Sequence, residues 1–181
     1  MTHTYISILR GINVSGQKQI KMDALKKCYE SLGFENVSTY VQSGNVIFSA
    51  GNPDTGELAK TISDSIRASS GFDVPVLVME AGYLKRVIDN NPFAGDDAKD
   101  QRFMHVTFLA SAPMDFDPVI FEDKKQDGEE IAFGDRVVYL YCPNGYGRTK
   151  LNNNFLESKL NVTATTRNWK TTTELYRLAG E

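Results

Sequence analysis

Cys142-Pro143-Asn144-Gly145-Tyr146-Gly147-Arg148-Thr149 is the stretch whose residue types come nearest to a reaction. It matches C-x5-R-[ST], the phosphate loop of cysteine phosphatases. In that loop a thiolate at a strand end attacks, inward N–H groups hold the oxygens and an arginine clamps them. The pattern is short enough to arise by accident, and the elements around it are not in the order of a parallel α/β sheet. A small residue ending a strand accounts better for Cys142. Gly145-x-Gly147-Arg148-Thr149-Lys150 also lies between a strand and a helix, where anions are favoured. The glycine gap and the Gly-Lys-Ser/Thr ending of a P-loop are missing, as is the third glycine of a dinucleotide fingerprint. Arg148 and Lys150 can still hold a phosphate or carboxylate.

The remaining candidates are weaker. His3 is terminal, and His105 alternates within a strand as a packed or edge histidine would. No Ser-His-Asp grouping has a motif around it. Asp96-Asp97 and Asp115-x-Asp117 have the composition of metal ligands, but solvation and helix capping explain them better. Two cysteines and two histidines offer no zinc spacing. We therefore assign no catalytic residue, no metal site and no cofactor from the sequence.

These residues hang on a legible series of elements. Tyr5 to Leu9 reads as a strand, followed by a Gly/Asn/Gln loop to Ile20. Met22, Leu25, Cys28, Tyr29 and Leu32 repeat at helical spacing and stop at Gly33. Val37 to Val41 and Val46 to Phe48 are strands joined by Gln42-Ser43-Gly44-Asn45, which is turn chemistry. Asp54 with Glu57 opens a helix whose stripe is Leu58, Ile62 and Ile66. Val74 to Met79 is a strand, and Pro75 sends it to a sheet edge because proline cannot donate to a ladder.

The order then repeats. A helix carries Tyr83, Leu84, Val87 and Ile88, and a polar stretch follows. Phe103 to Leu109 is a strand, and Asp117-Pro118 opens a short helix. Ile131 to Phe133 and Arg136 to Cys142 form a hairpin around Gly134-Asp135. Next come a helix with Leu151, Phe155, Leu156 and Leu160, a strand at Val162 to Thr166, and a last helix capped by Asn168. Trp169 in that helix reads as a core residue.

The fold expected is α+β: two ferredoxin-like (βαββαβ) halves with mainly antiparallel sheets and a C-terminal helix. The first half with its following helix takes residues 1–89, a linker 90–101, and the second half with the C-terminal helix 102–181. The 181 residues, 41% hydrophobic and 24% charged, suit an ordinary globular chain. Met1 to Thr4 do not open a basic region followed by an apolar core, so no secretory leader is expected. No apolar run is of membrane length, and two cysteines favour a reducing compartment, so a cytoplasmic protein is expected.

Charge is uneven. Residues 1–27 carry a net +4, residues 143–181 a net +3 and the middle −10. An acidic chain with basic ends is not a general nucleic-acid coater. Basic ends that met would make one local positive site.

Topology says which loops meet. A split βαβ half has sheet order 4-1-3-2. The loop leaving its first strand and the hairpin joining its second and third therefore share one end of the sheet. Here those are Arg10 to Val14 and Gln42 to Asn45. Glycine lets backbone N–H groups approach a ligand, and amide side chains supply donors and acceptors. The same residues also suit tight turns. On the first strand Tyr5 and Leu9 share one face, Ile6 and Ile8 the other. With both faces apolar, an exposed RNA platform is not expected, while a homo-oligomer stays open.

Arg10-Gly11-Ile12-Asn13-Val14, Thr39 to Val46, Asn91-Pro92-Phe93, Gly145 to Leu151 and Thr166-Arg167-Asn168-Trp169 together resemble the bacterial family of domain of unknown function 1697. The resemblance runs over roughly residues 5–178. It implies a duplicated ferredoxin-like, cytoplasmic α+β protein and carries no activity or residue role. Three readings follow. The first is binding of a small anionic or nucleotide-like ligand by Arg10, Asn13, Gln42, Ser43, Asn45, Arg148, Lys150 and Arg167. The second is an enzyme acting on a phosphorylated or acyl substrate at that site. The third is a structural or oligomeric interaction protein.

Overall fold

The computed structural model describes residues 1–51 and 54–180. The chain divides into two compact units, Met1–Leu84 with Leu175–Glu181, and Lys85–Glu174. Each contains one four-stranded antiparallel sheet.

The first unit runs β1 (His3–Leu9), α1 (Met22–Ser31), β2 (Glu35–Tyr40), β3 (Asn45–Ala50), α2 (Thr55–Ser70), β4 (Val76–Glu80). Its order is β2-β3-β1-β4, the split βαβ order. Pro75 stands one residue before β4, which is an edge strand as the missing N–H requires. Tyr5, Leu9, Val46 and Phe48 on one sheet face form a core with Leu25 and Tyr29 of α1 and Leu58, Ile62 and Ile66 of α2. The Tyr29 hydroxyl hydrogen-bonds the Ser7 hydroxyl at 2.7 Å within that core. Asp54 accepts from Glu57 N–H to start α2, and Gly71 ends it in the left-handed region at φ 78°.

In the second unit the order is β5 (Met104–Leu109), α4 (Val119–Glu122), β6 (Glu130–Gly134), β7 (Val137–Tyr141), α5 (Asn153–Leu160), β8 (Ala164–Asn168). Its sheet order, β6-β7-β5-β8, repeats that of the first unit. Helix α3 (Ala81–Asp89) precedes this series and α6 (Trp169–Leu178) follows it. Asn168 caps α6, its Oδ1 accepting from Thr171 N–H at 2.7 Å. Leu109, Val138, Leu140 and Ala164 form a core with Phe121 of α4 and Leu156 and Leu160 of α5. On the other face Tyr139 donates its hydroxyl to the Val87 carbonyl at 2.8 Å.

Several boundaries differ from the sequence reading. The second hairpin turns on Asp135-Arg136, because Gly134 still pairs with Val137 and Arg136 takes φ 51°. Leu151 lies before α5, whose cap is Asn152. Pro118 takes the cap position of α4, while Asp117 accepts from Val119 N–H at 3.0 Å. The segment 90–100 is held by its own turns and by an ion pair to β6. Asn91 Oδ1 accepts from Phe93 N–H, and the Lys99 ammonium reaches Asp96 at 2.8 Å and Glu130 at 2.6 Å.

Candidate functional site

The loop between β1 and α1 and the hairpin between β2 and β3 are tied together at one end of the first sheet. Leu9 N–H donates to the Gly44 carbonyl at 2.9 Å, and Asn13 Nδ2 to the Gln42 carbonyl at 2.8 Å. Asn13 also brackets its own loop, donating to the Ile20 carbonyl at 3.0 Å and accepting from Ile20 N–H at 2.8 Å. Asn45 is fully buried; its Nδ2 donates to the Tyr40 carbonyl at 2.8 Å and to Ser43 Oγ at 3.1 Å. A Cβ on Gly44 would lie 2.7 Å from Ile12 Cδ1, so the hairpin presses on the loop where only glycine fits. The amides of Asn13 and Asn45 thus hold the backbone. Gln42 is exposed, and Arg10 and Ser43 are half-buried.

The same loop closes one wall of a cavity of about 390 Å³ between α1 and the C-terminal end of α2. Ile20, Leu25, Ile66 and Phe72 give it an apolar lining, while Gln19 and Lys21 bring an amide and a cation. Cys28 also lines it, with Sγ 3.1 Å from Ser65 Oγ. Lys21 is the N-cap residue of α1 and makes no side-chain cap; the first helical bond runs from Leu25 N–H to the Lys21 carbonyl. The N–H groups of Met22, Asp23 and Ala24 have no partner among the described residues, and Ala24 faces the cavity. Ser69 and Ser70 spend their hydroxyl protons on carbonyls of α2.

In the second unit the Cys142 thiol is fully buried, and burial pushes its pKa up to about 12. The Glu129 carboxylate acts in the same direction, and a hydrogen bond from Thr149 opposes them. It is a neutral thiol, the reverse of what a phosphatase nucleophile needs. Residues Tyr146–Arg148 form one 3-10 turn, and α5 begins only at Asn153 with its own cap, Asn152 Oδ1 accepting from Phe155 N–H. Arg148 and Lys150 are exposed. His105 stacks on Tyr146 at 4.6 Å between centroids, and burial holds its pKa below the usual imidazole range. Arg167 is buried on β8, opposite Val106 on β5. It donates to the Thr166 carbonyl at 3.0 Å, and burial lowers its pKa to about 10, so it stays charged at neutral pH.

The family described as "Protein of unknown function (DUF1697)" matches residues 1–139. The chain belongs to that family. A solved structure of similar fold is that of the conserved bacterial protein SP0830 from Streptococcus pneumoniae, with a TM-score of 0.76, 22% identity and 99% of each chain covered. No curated protein matches. At that identity the structural likeness speaks for the fold alone. The family match takes in the Arg10–Val14 loop, the Gln42–Asn45 hairpin and the whole cavity, while Arg148, Lys150 and Arg167 fall beyond it. Among the described residues no helix is long and apolar enough to cross a membrane.

The cavity is the feature that sequence reasoning missed. Its walls come from residues 19–28 and 66–72, and only the packing of α1 on α2 brings them together. One signal was available: a lysine directly before the first helical residue, where serine, aspartate or asparagine is the usual cap.

Proposed function

We propose that this family member binds a small anionic ligand whose apolar part sits in the cavity between α1 and α2. The observation that carries this reading is the cavity itself. Its volume is at the small end of ligand pockets, enough for one ring or a short chain. Apolar side chains line it, and its polar wall holds Lys21 and the uncapped first turn of α1. Backbone N–H groups and a nearby cation suit a phosphate or carboxylate group on such a ligand.

A thermal-shift screen with phenyl phosphate, benzoate, hexanoate, AMP and glucose 6-phosphate tests this. A compound at 100 times its Kd adds about 2.7 kcal/mol of stability. The compounds with an apolar body are expected to stabilise the wild type. Lys21→Glu and the cavity-filling Ala24→Trp are expected to abolish the response while remaining folded. A panel without effect, or a response that survives both substitutions, contradicts the proposal.

A further inference from the structure

We propose that the outer edge of β6, with the phenylalanine cluster beside it, docks an extended basic segment of a partner protein. Strand β6 ends its sheet, pairing only with β7. Its five residues run in unbroken register, from Glu130 opposite Tyr141 to Gly134 opposite Val137. It has no bulge, proline or lysine, three of the protections of an exposed edge, and its single charged residue, Glu130, is engaged by Lys99. In the first unit, β2 does carry a register shift, between Glu35 and Ser38. Among the described residues no other segment hydrogen-bonds to the backbone of β6.

Beside this edge the surface is apolar. Phe133 of β6 packs on Phe116 at 4.8 Å and on Phe121 at 5.2 Å between centroids, yet stays 36% exposed. Val119 on α4 is 56% exposed, and Met114, two residues before Phe116, is 81% exposed. Free backbone groups give an added strand its affinity, and an apolar strip beside them takes its alternate side chains.

Charge selects the occupant. Residues 115–135 contain eight carboxylates and two lysines; of the carboxylates, Glu129 is buried, Glu130 is paired with Lys99 and Asp135 with Arg136. Lys125 is paired with Glu122 at 2.5 Å. Asp115, Asp117 and Asp123 are exposed around the apolar strip. A second copy pairing β6 to β6 would bring two such segments together, and like charges across a strand pair destabilise it. A partner strand alternating apolar and basic residues meets both the strip and the carboxylates.

The test is selection of random dodecapeptides displayed on phage against the full chain. Synthetic copies of enriched peptides are then measured by fluorescence polarisation. Enriched sequences are expected to alternate apolar with Lys or Arg. Their binding is expected to weaken with salt and to fall about tenfold or more with Phe133→Ser, Val119→Ser or Asp115→Lys with Asp123→Lys. Bound peptide is expected to slow amide exchange over 130–134. Val119→Ser alters only an exposed side chain, so it separates lost docking from lost folding if Phe133→Ser unfolds. No enrichment, neutral or acidic peptides, protection away from β6, or self-association of the chain through β6 would each overturn the proposal.

Discussion

The side-chain amide of Asn13 joins two backbone segments: Nδ2 donates to the Gln42 carbonyl at 2.8 Å while Oδ1 accepts from Ile20 N–H at 2.8 Å. Asn13 does this from the left-handed region, at φ 55°, which asparagine tolerates better than most residues. Asn13→Ala removes all three side-chain hydrogen bonds and leaves part-buried backbone groups unpaired. We expect a loss of about 1–3 kcal/mol in urea unfolding. Unchanged stability would mean the two loops are held by other contacts.

Alkaline pH should destabilise the fold through buried acids of both units, Tyr29 in the first and two groups in the second. Burial raises Cys142 from 9.0 to about 12 and Tyr139 from 10.0 to about 12. The unfolded chain loses both protons first, so the stability they contribute is full below about pH 9 and is lost between there and pH 12. Urea midpoints should fall over that window, and Cys142→Ala should flatten part of the slope. Iodoacetamide at pH 8 should leave Cys142 of the native protein unmodified; rapid alkylation would show an accessible thiolate.

Trp169 opens α6 and is 5% exposed. Trp169→Ala should cost about 3–5 kcal/mol, as large-to-small changes of buried aromatics do. Thermal unfolding with and without phosphate should show the same loss. A loss only in the presence of phosphate would instead mark the residue as part of an anion site.

Lys99 lies between Asp96 and Glu130, and its ammonium holds the Asp96 carboxyl below the ordinary carboxylate range. Asp96 therefore contributes stability that is present above the unfolded carboxylate pKa and is lost as pH falls through the folded one. In Lys99→Met, NMR titration should find the Asp96 pKa moved upward. An unmoved value would mean that the Ala98 N–H, which donates to Asp96 at 2.9 Å, suffices alone.

The sheet order was legible because it follows from few facts: the element series, and Pro75 forcing one strand to an edge. The meeting of the Arg10 loop with the Gln42 hairpin followed from strand direction. What Asn13 and Asn45 do there was not legible, since an amide that suits a ligand also suits a turn, and only geometry assigns its partner. The Asp135-Arg136 turn was hidden for a related reason. Arginine at φ 51° goes against local preference, so Gly134 drew the turn one residue early. The cavity depends on the approach of two helices whose contact no local pattern encodes.

The central claim, an anionic ligand in the cavity of the first unit, is tested most directly by an NMR titration of the protein with phenyl phosphate, following backbone amides. We predict saturable shifts centred on Met22, Asp23 and Ala24, with further shifts at Ile20 and Phe72, all lost in Lys21→Glu. Shifts confined to Arg148–Lys150, or no saturable shift at the start of α1, would contradict it.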